Sequence, residues 1–160
     1  MSPSETWPPL PLESWAETCD TLQLWTQIAG KTRLALAPMQ NHWWQVALYV
    51  TARGLGTSPI PYGDRAFEIE FDFVDHRLQA RASDGRTGSF PLAPQTVAEF
   101  YRRYMEMLGS LGIEIRIRPV PSEVQTPLPF DKDDVHRSYD ADAAWRFWRI
   151  LVQEIGRAHV

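Results

Sequence analysis

Phe67-Glu68-Ile69-Glu70-Phe71-Asp72-Phe73 alternates a large apolar side chain with an acid at every step. Successive residues of a strand point to opposite faces. A period of two therefore specifies a strand with one apolar and one ionic face, and excludes a helix. The apolar face needs partners, and the next residues supply them. A two-residue loop at Asp75-His76 pairs Phe73 with Leu78, Phe71 with Ala80 and Glu70 with Arg81, apolar against apolar and acid against base. A second hairpin with Ser83-Asp84-Gly85 as its loop pairs Leu78 with Phe90 and Ala80 with Gly88. It also puts Gly85 where a left-handed residue is wanted.

Two further stretches alternate. In residues 44–53, Trp44, Val46, Leu48, Val50 and Ala52 take one face, and Trp43, Gln45, Ala47, Tyr49, Thr51 and Arg53 the other. Ile113, Ile115 and Ile117 alternate with Glu114, Arg116 and Arg118. Each predicts a strand. Helical spacing appears from Leu12, with Leu12, Trp15, Cys19, Leu22, Trp25 or Thr26, and Ala29 on one face. Gly30 could end that helix. Thr32–Ala37 can continue it to Pro38 or begin a strand, and continuation is the reading adopted. Thr96-Val97-Ala98-Glu99 is a capping box, opening a helix with Val97, Phe100, Tyr101, Tyr104, Leu108 and Leu111 on one face. A last helix begins near Asp140 and carries Ala141, Trp145 and Trp148.

The predicted class is α+β: an antiparallel β-meander of about five strands packed against a long N-terminal helix and a second amphipathic helix. Residues 1–11 read as an extended proline-rich arm and 12–118 as the α+β domain. Residues 119–138 read as a proline-rich connector, and 139–153 as the start of a helix leading into a missing C-terminal half. Residues 154–160 read as a non-native tail, because Ile155 to Val160 resembles one translated frame of a common sequencing adapter.

WAETCDTLQLWTQIAGKTRLALAP, NHWWQVALYVTARGLGTSPIPYG and FEIEFDFVDHRL together resemble a bacterial family catalogued as domain of unknown function 5996. The similarity runs nearly to residue 153. It implies a second half in other members, expected to pack on this chain. It implies no catalytic or binding residues, since none is established for that family.

Composition narrows the function. A net charge of −4 argues against generic binding to nucleic acid or acidic membranes. Cys19 is the single cysteine, so no intrachain disulfide can form. No secretory signal and no apolar run of membrane-spanning length is present, and the expected location is cytoplasmic. Seven tryptophans require a core, an interface or a ligand to cover them.

The candidate ligand-binding residues are Trp43, Gln45, Tyr49, Arg53 and Tyr62, an aromatic face with a few hydrogen-bonding groups beside a long Gly- and Pro-rich loop, Gly54 to Arg65. The plainer account is that this face packs on another element. Arg53 with Gly54, Gly56 and Thr57 or Ser58 could cradle an anion, but Pro59 and Pro61 rule out a phosphate-loop helix. Lys31 and Arg33 beside Gln27 could bind an acid or offset the helix dipole. Glu68, Glu70 and Asp72 read as a solvated charge ladder rather than an acid/base set.

For catalysis the candidate is His42, as the base of a hydrolase or transferase whose carboxylate comes from the missing half. A structural or interaction domain without a pocket is the third reading. His42, His76 and His136 lack metal-ligand spacing, and Asp131, Asp133, Asp134 and His136 read as solvated linker. No metal and no cofactor is expected. Cys19, on an apolar stripe, reads as an inert core thiol.

Overall fold

The computed structural model describes residues 7–157, with the side chains of Trp43, Trp44 and Gln45 and of the last two described residues set aside. The first six residues of the expected arm and the last three of the expected tail lie outside this range.

Helix α1 spans Leu12–Leu36. It contains no proline, and Pro38 disfavours helical geometry at Ala37, where the chain turns extended (φ −80°, ψ 146°). Continuation past Gly30 is therefore observed. The buried face shares Leu22, Trp25 and Ala29 with the predicted stripe but is otherwise displaced from it. Thr18, Thr21, Trp25, Ile28 and Thr32 face the core, because threonine buries well once its hydroxyl is returned to the helix's own backbone. Thr21 donates to the Glu17 carbonyl and Thr32 to the Ile28 carbonyl, each at 3.0 Å.

Six strands, among the described residues, form one antiparallel sheet: β1 Tyr49–Val50, β2 Gly54–Gly56, β3 Ile60–Tyr62, β4 Arg65–Asp72, β5 Arg77–Ala82 and β6 Thr87–Pro91. The order is β1-β2-β4-β5-β6, with β3 also on β4. The second hairpin has the predicted register, Leu78 opposite Phe90 and Ala80 opposite Gly88, with Gly85 at φ 91°. The first hairpin is shifted by two residues: Phe71 faces Leu78, Ile69 faces Ala80 and Glu68 faces Arg81. A shift of two keeps every side chain on its face, so hydrophobic pattern alone could not resolve it. The turn did. Asp72 accepts the Val74 and Asp75 amides at 2.8 and 2.9 Å, pulling Phe73 out of the ladder and lengthening the loop.

Three other expectations are corrected. Residues Asn41–Val46 are a 3-10 helix, not a strand, and β1 keeps only two residues of the expected 44–53 run. Here the chain folds back over α1, where Gly30 allows close approach: a Cβ there would sit 3.3 Å from the Val46 carbonyl oxygen. The expected loop 54–65 instead forms β2 and β3 along one edge of β4. Gly54 makes this possible, since a Cβ would lie 1.8 Å from the Phe71 carbonyl oxygen. Residues 113–117 form no strand and take no part in the sheet. Their alternation reflects half-burial, and side chains hold the backbone there: the Tyr62 hydroxyl accepts the Glu114 amide, and Arg65 donates to the Leu111 and Gly112 carbonyls.

Helix α2, Val97–Ser110, starts with the predicted capping box, Thr96 and Glu99 exchanging side-chain and backbone bonds at 3.1 and 2.9 Å. Its first amides are satisfied from the connector, since Val97 and Ala98 donate to the His136 and Asp133 carbonyls. The connector is thus anchored to the domain at particular residues, while Asp131 and Asp134 remain exposed as expected. Phe130 is fully buried, and the buried Asp133 carboxylate accepts the Val135 and His136 amides and His136 Nδ1. Helix α3, Ala141–Arg157, returns to the sheet edge, where Trp148 Nε1 donates to the Thr51 carbonyl at 3.0 Å.

The core is an aromatic stack that ties these layers together. Trp25 of α1 stacks on Phe100 of α2 at 4.7 Å and 7°, and Tyr139 stacks on it at 5.6 Å and 28°. Tyr104 and Thr32 join α2 to α1 through buried hydroxyls 2.6 Å apart. Thr32 spends its hydrogen on the Ile28 carbonyl, so Tyr104 is the donor. Burial pushes the Tyr104 phenol well above its ordinary pKa and keeps it protonated for that role. Tyr104→Phe is expected to cost about 0.5–1.5 kcal/mol in urea unfolding. An unchanged midpoint would mean that the bond adds nothing net.

Candidate functional site

The flank of α1 next to the core face carries part of the stripe predicted to be core, while Trp25 and Ala29 of that stripe are in the core itself. Trp15, Cys19, Leu22 and Thr26, with Gly30 and Leu34 beyond them, form one wall of a cavity of about 580 Å³. Because the lining runs from Trp15 to Leu34, the cavity follows α1 for about 28 Å at the rise of an α-helix. Val46, Leu48, Leu55 and Phe73 make the floor, and Phe147 of α3 closes one end with its ring 5.1 Å from Trp15. The mouth carries the exposed residues Gln23, Leu34, Ser122 and Glu123.

The two ends differ. Around Trp15 and Phe147 the surface is aromatic. At the far end Gln27 clamps the connector, its amide donating to the Ser122 carbonyl and accepting the Ser122 amide at 3.0 and 2.8 Å. This fixes the Ser122 hydroxyl 3.3 Å from Lys31 Nζ. Burial lowers the Lys31 pKa, and the Arg118 charge lowers it further. Burial raises the Cys19 thiol, and Asp20 adds to that shift, so the thiolate is scarce near neutral pH.

Of the sequence candidates, Lys31 and Gln27, read as able to bind an acid, line this cavity, whereas Tyr49, Arg53, Tyr62 and His42 lie outside its lining. Tyr49 sits under the Arg33 guanidinium and borders a second cavity of about 260 Å³, with Thr51, Glu68, Glu70 and Arg81. Arg53 is held by Asp72 at 2.7 Å and by Asp75 at 2.8 Å. Tyr62 lies under Arg65 and accepts the Glu114 amide. His42 is exposed on the 3-10 helix with φ 56°. Trp43 and Gln45 share that helix, and their side chains fall outside the described residues. The acidic ladder is only partly solvated: Glu70 meets Arg81 at 3.4 Å and the Thr51 hydroxyl at 2.8 Å, whereas Asp72 is buried. A part-buried hydroxyl–imidazole contact joins Tyr139 to His76 Nδ1 at 2.6 Å; burial lowers the His76 pKa and raises that of the Tyr139 phenol.

Sequence reasoning missed the large cavity. A signal was available: α1 carries apolar residues on more of its circumference than one core contact needs, Leu24, Trp25 and Ile28 on one arc and Trp15, Cys19 and Leu22 beside it.

The structure therefore defines an α+β domain whose long first helix walls a mainly apolar cavity with one cationic end. Among the described residues, no group of three or more His, Cys, Asp or Glu is placed to hold a metal ion, and no helix is long and apolar enough to cross a membrane. The chain belongs to the family of unknown function DUF5996, whose model matches residues 7–156. Neither the curated proteins nor the solved structures contain a match to it.

Proposed function

We propose that this domain binds a small, mainly apolar molecule in the cavity along α1. The observation that carries this reading is the cavity itself. At about 580 Å³ it falls within the ordinary range for small-molecule sites, and its mainly apolar lining carries Gln23 and Thr26 midway along α1 and Gln27, Lys31, Ser122 and Glu123 toward one end. An apolar surface of this extent lacks the tight packing of an interior, so filling it releases water and adds dispersion contacts.

Cys19 offers a direct reporter, being the single cysteine of the chain and part of the lining. Alkylation at mildly alkaline pH, where the raised thiol ionises, should slow when a bound molecule covers it. A panel of neutral apolar and amphipathic compounds is expected to include some that protect Cys19 and raise the melting temperature together. Thr26→Trp, which places an indole in the cavity, should abolish both effects while leaving the fold intact by circular dichroism. If no compound protects Cys19, or if protection survives in Thr26→Trp, the cavity is not a binding site.

A further inference from the structure

The ends of the cavity differ in charge as well as polarity, and that asymmetry bears on what enters it. Among the described residues, Lys31 is the one cation in the lining. Its ammonium touches the Ser122 hydroxyl at 3.3 Å, and among the described residues no carboxylate stands within ion-pair distance of it. Glu123 lies nearby in the lining, on a left-handed backbone at φ 59°, yet the charge that bears on Lys31 is the cation Arg118. Partial burial and the Arg118 charge both disfavour the ammonium, and an anion drawn alongside it would offset them.

The geometry around them is prepared. Gln27 pins the Ser122 backbone through both its carbonyl and its amide, so the Ser122 hydroxyl is presented beside Lys31 by a fixed turn. An ammonium and a hydroxyl side by side match the two oxygens of a carboxylate. From that point the lining runs along α1 past Thr26 and Gln23 toward Leu22, Cys19, Trp15 and Phe147, a mainly apolar course suited to an aliphatic or aromatic body.

We infer that the cavity takes an anionic amphiphile, with its apolar body along α1 and a carboxylate-like head at Lys31 and Ser122. This rests on the reading of the cavity as a ligand site and names the chemistry of the ligand. The ion pair formed on binding is partly desolvated, so the head group contributes to affinity rather than only to orientation.

Three ten-carbon probes differing only at the head separate the possibilities: decanoate, decanol and decylammonium, each used below its micelle-forming concentration. The measurement is the concentration at which each halves the rate of Cys19 alkylation. Decanoate is expected to act at about tenfold lower concentration than decanol, the difference made by one charge-assisted contact, with decylammonium weakest. Lys31→Met should bring decanoate and decanol together, while Lys31→Arg, which keeps the charge, should preserve the order.

Equal potency of decanoate and decanol on the unaltered protein would overturn the head-group assignment and leave the cavity reading standing. So would a preference for decanoate that persists in Lys31→Met. Protection by none of the three would remove both. The comparison of the probes on the unaltered chain needs no variant, so poor folding of Lys31→Met would not spare the inference.

Discussion

Replacing Phe100 by alanine is expected to destabilise the fold by about 3–5 kcal/mol, more than any other substitution considered for this chain. The reason lies in what the ring touches. Phe100 is fully buried and stacks on Trp25 at 4.7 Å and on Phe71 at 6.1 Å; Phe90 meets it edge-on at 5.3 Å and Tyr104 follows at 6.2 Å. Those partners come from α1, β4, β6 and α2 itself. A cavity left by the missing ring could close only if elements on both sides of the core moved together, and close-packed interiors resist that. For a domain of this length the loss should appear as a melting temperature lowered by about 6–20 °C. Phe100→Leu keeps most of the volume and should cost much less. If the alanine variant shifts the urea midpoint no more than the leucine variant does, Phe100 is not the hub of the core.

That hub was readable in the sequence, and the cavity was not, for one physical reason. Capping box, spacing and alternation are local, and they placed Val97, Phe100, Tyr104 and Leu108 on one face of α2 and Phe67, Ile69 and Phe71 on one face of β4, as observed. The cavity needs residues far apart in the chain: Leu55 and Phe73 from the sheet, Ser122 from the connector, Phe147 from α3. No periodicity within one element reports such a meeting.

On α1, hydropathy found part of the buried face, since Leu22, Trp25 and Ala29 are in the core. But it ranked Trp15 and Cys19 above Thr18, Thr21 and Thr32, whereas the fold buries the threonines and lines the cavity with Trp15 and Cys19. The aromatic face proposed for binding rested on strand geometry through residues 44–53. Once the chain turns helical at Asn41–Val46, Tyr49, Arg53 and Tyr62 disperse to separate partners. Glu70 still finds Arg81 despite the two-residue register change, because long side chains reach diagonal neighbours across a ladder.

Asp72→Ala is expected to cost about 1.5–3 kcal/mol and to change how stability depends on pH. The carboxylate is 2 % exposed and closes the turn after β4. One oxygen takes the Val74 and Asp75 amides, and the other takes Arg53 Nε at 2.7 Å. Burial alone would raise its pKa. The Arg53 hydrogen bond, the Asp75 and Val74 amides and the Arg53 charge together outweigh that and hold it below the ordinary carboxylate range.

The sign follows from linkage. A carboxyl with a depressed folded-state pKa binds fewer protons folded than unfolded, so its contribution is complete above the unfolded value, about 4. It is lost as pH falls through the lower folded value. Arg53 remains partly exposed and keeps Asp75, so the variant sheds the turn's acceptor without stranding a buried cation. Urea unfolding of both proteins from neutral pH downward should therefore show a gap that is widest at neutral pH and narrows below about pH 4. A gap that stays constant down to the acid limit would mean that Asp72 supports the turn by shape alone. A gap that widens on acidification would reverse the assigned sign.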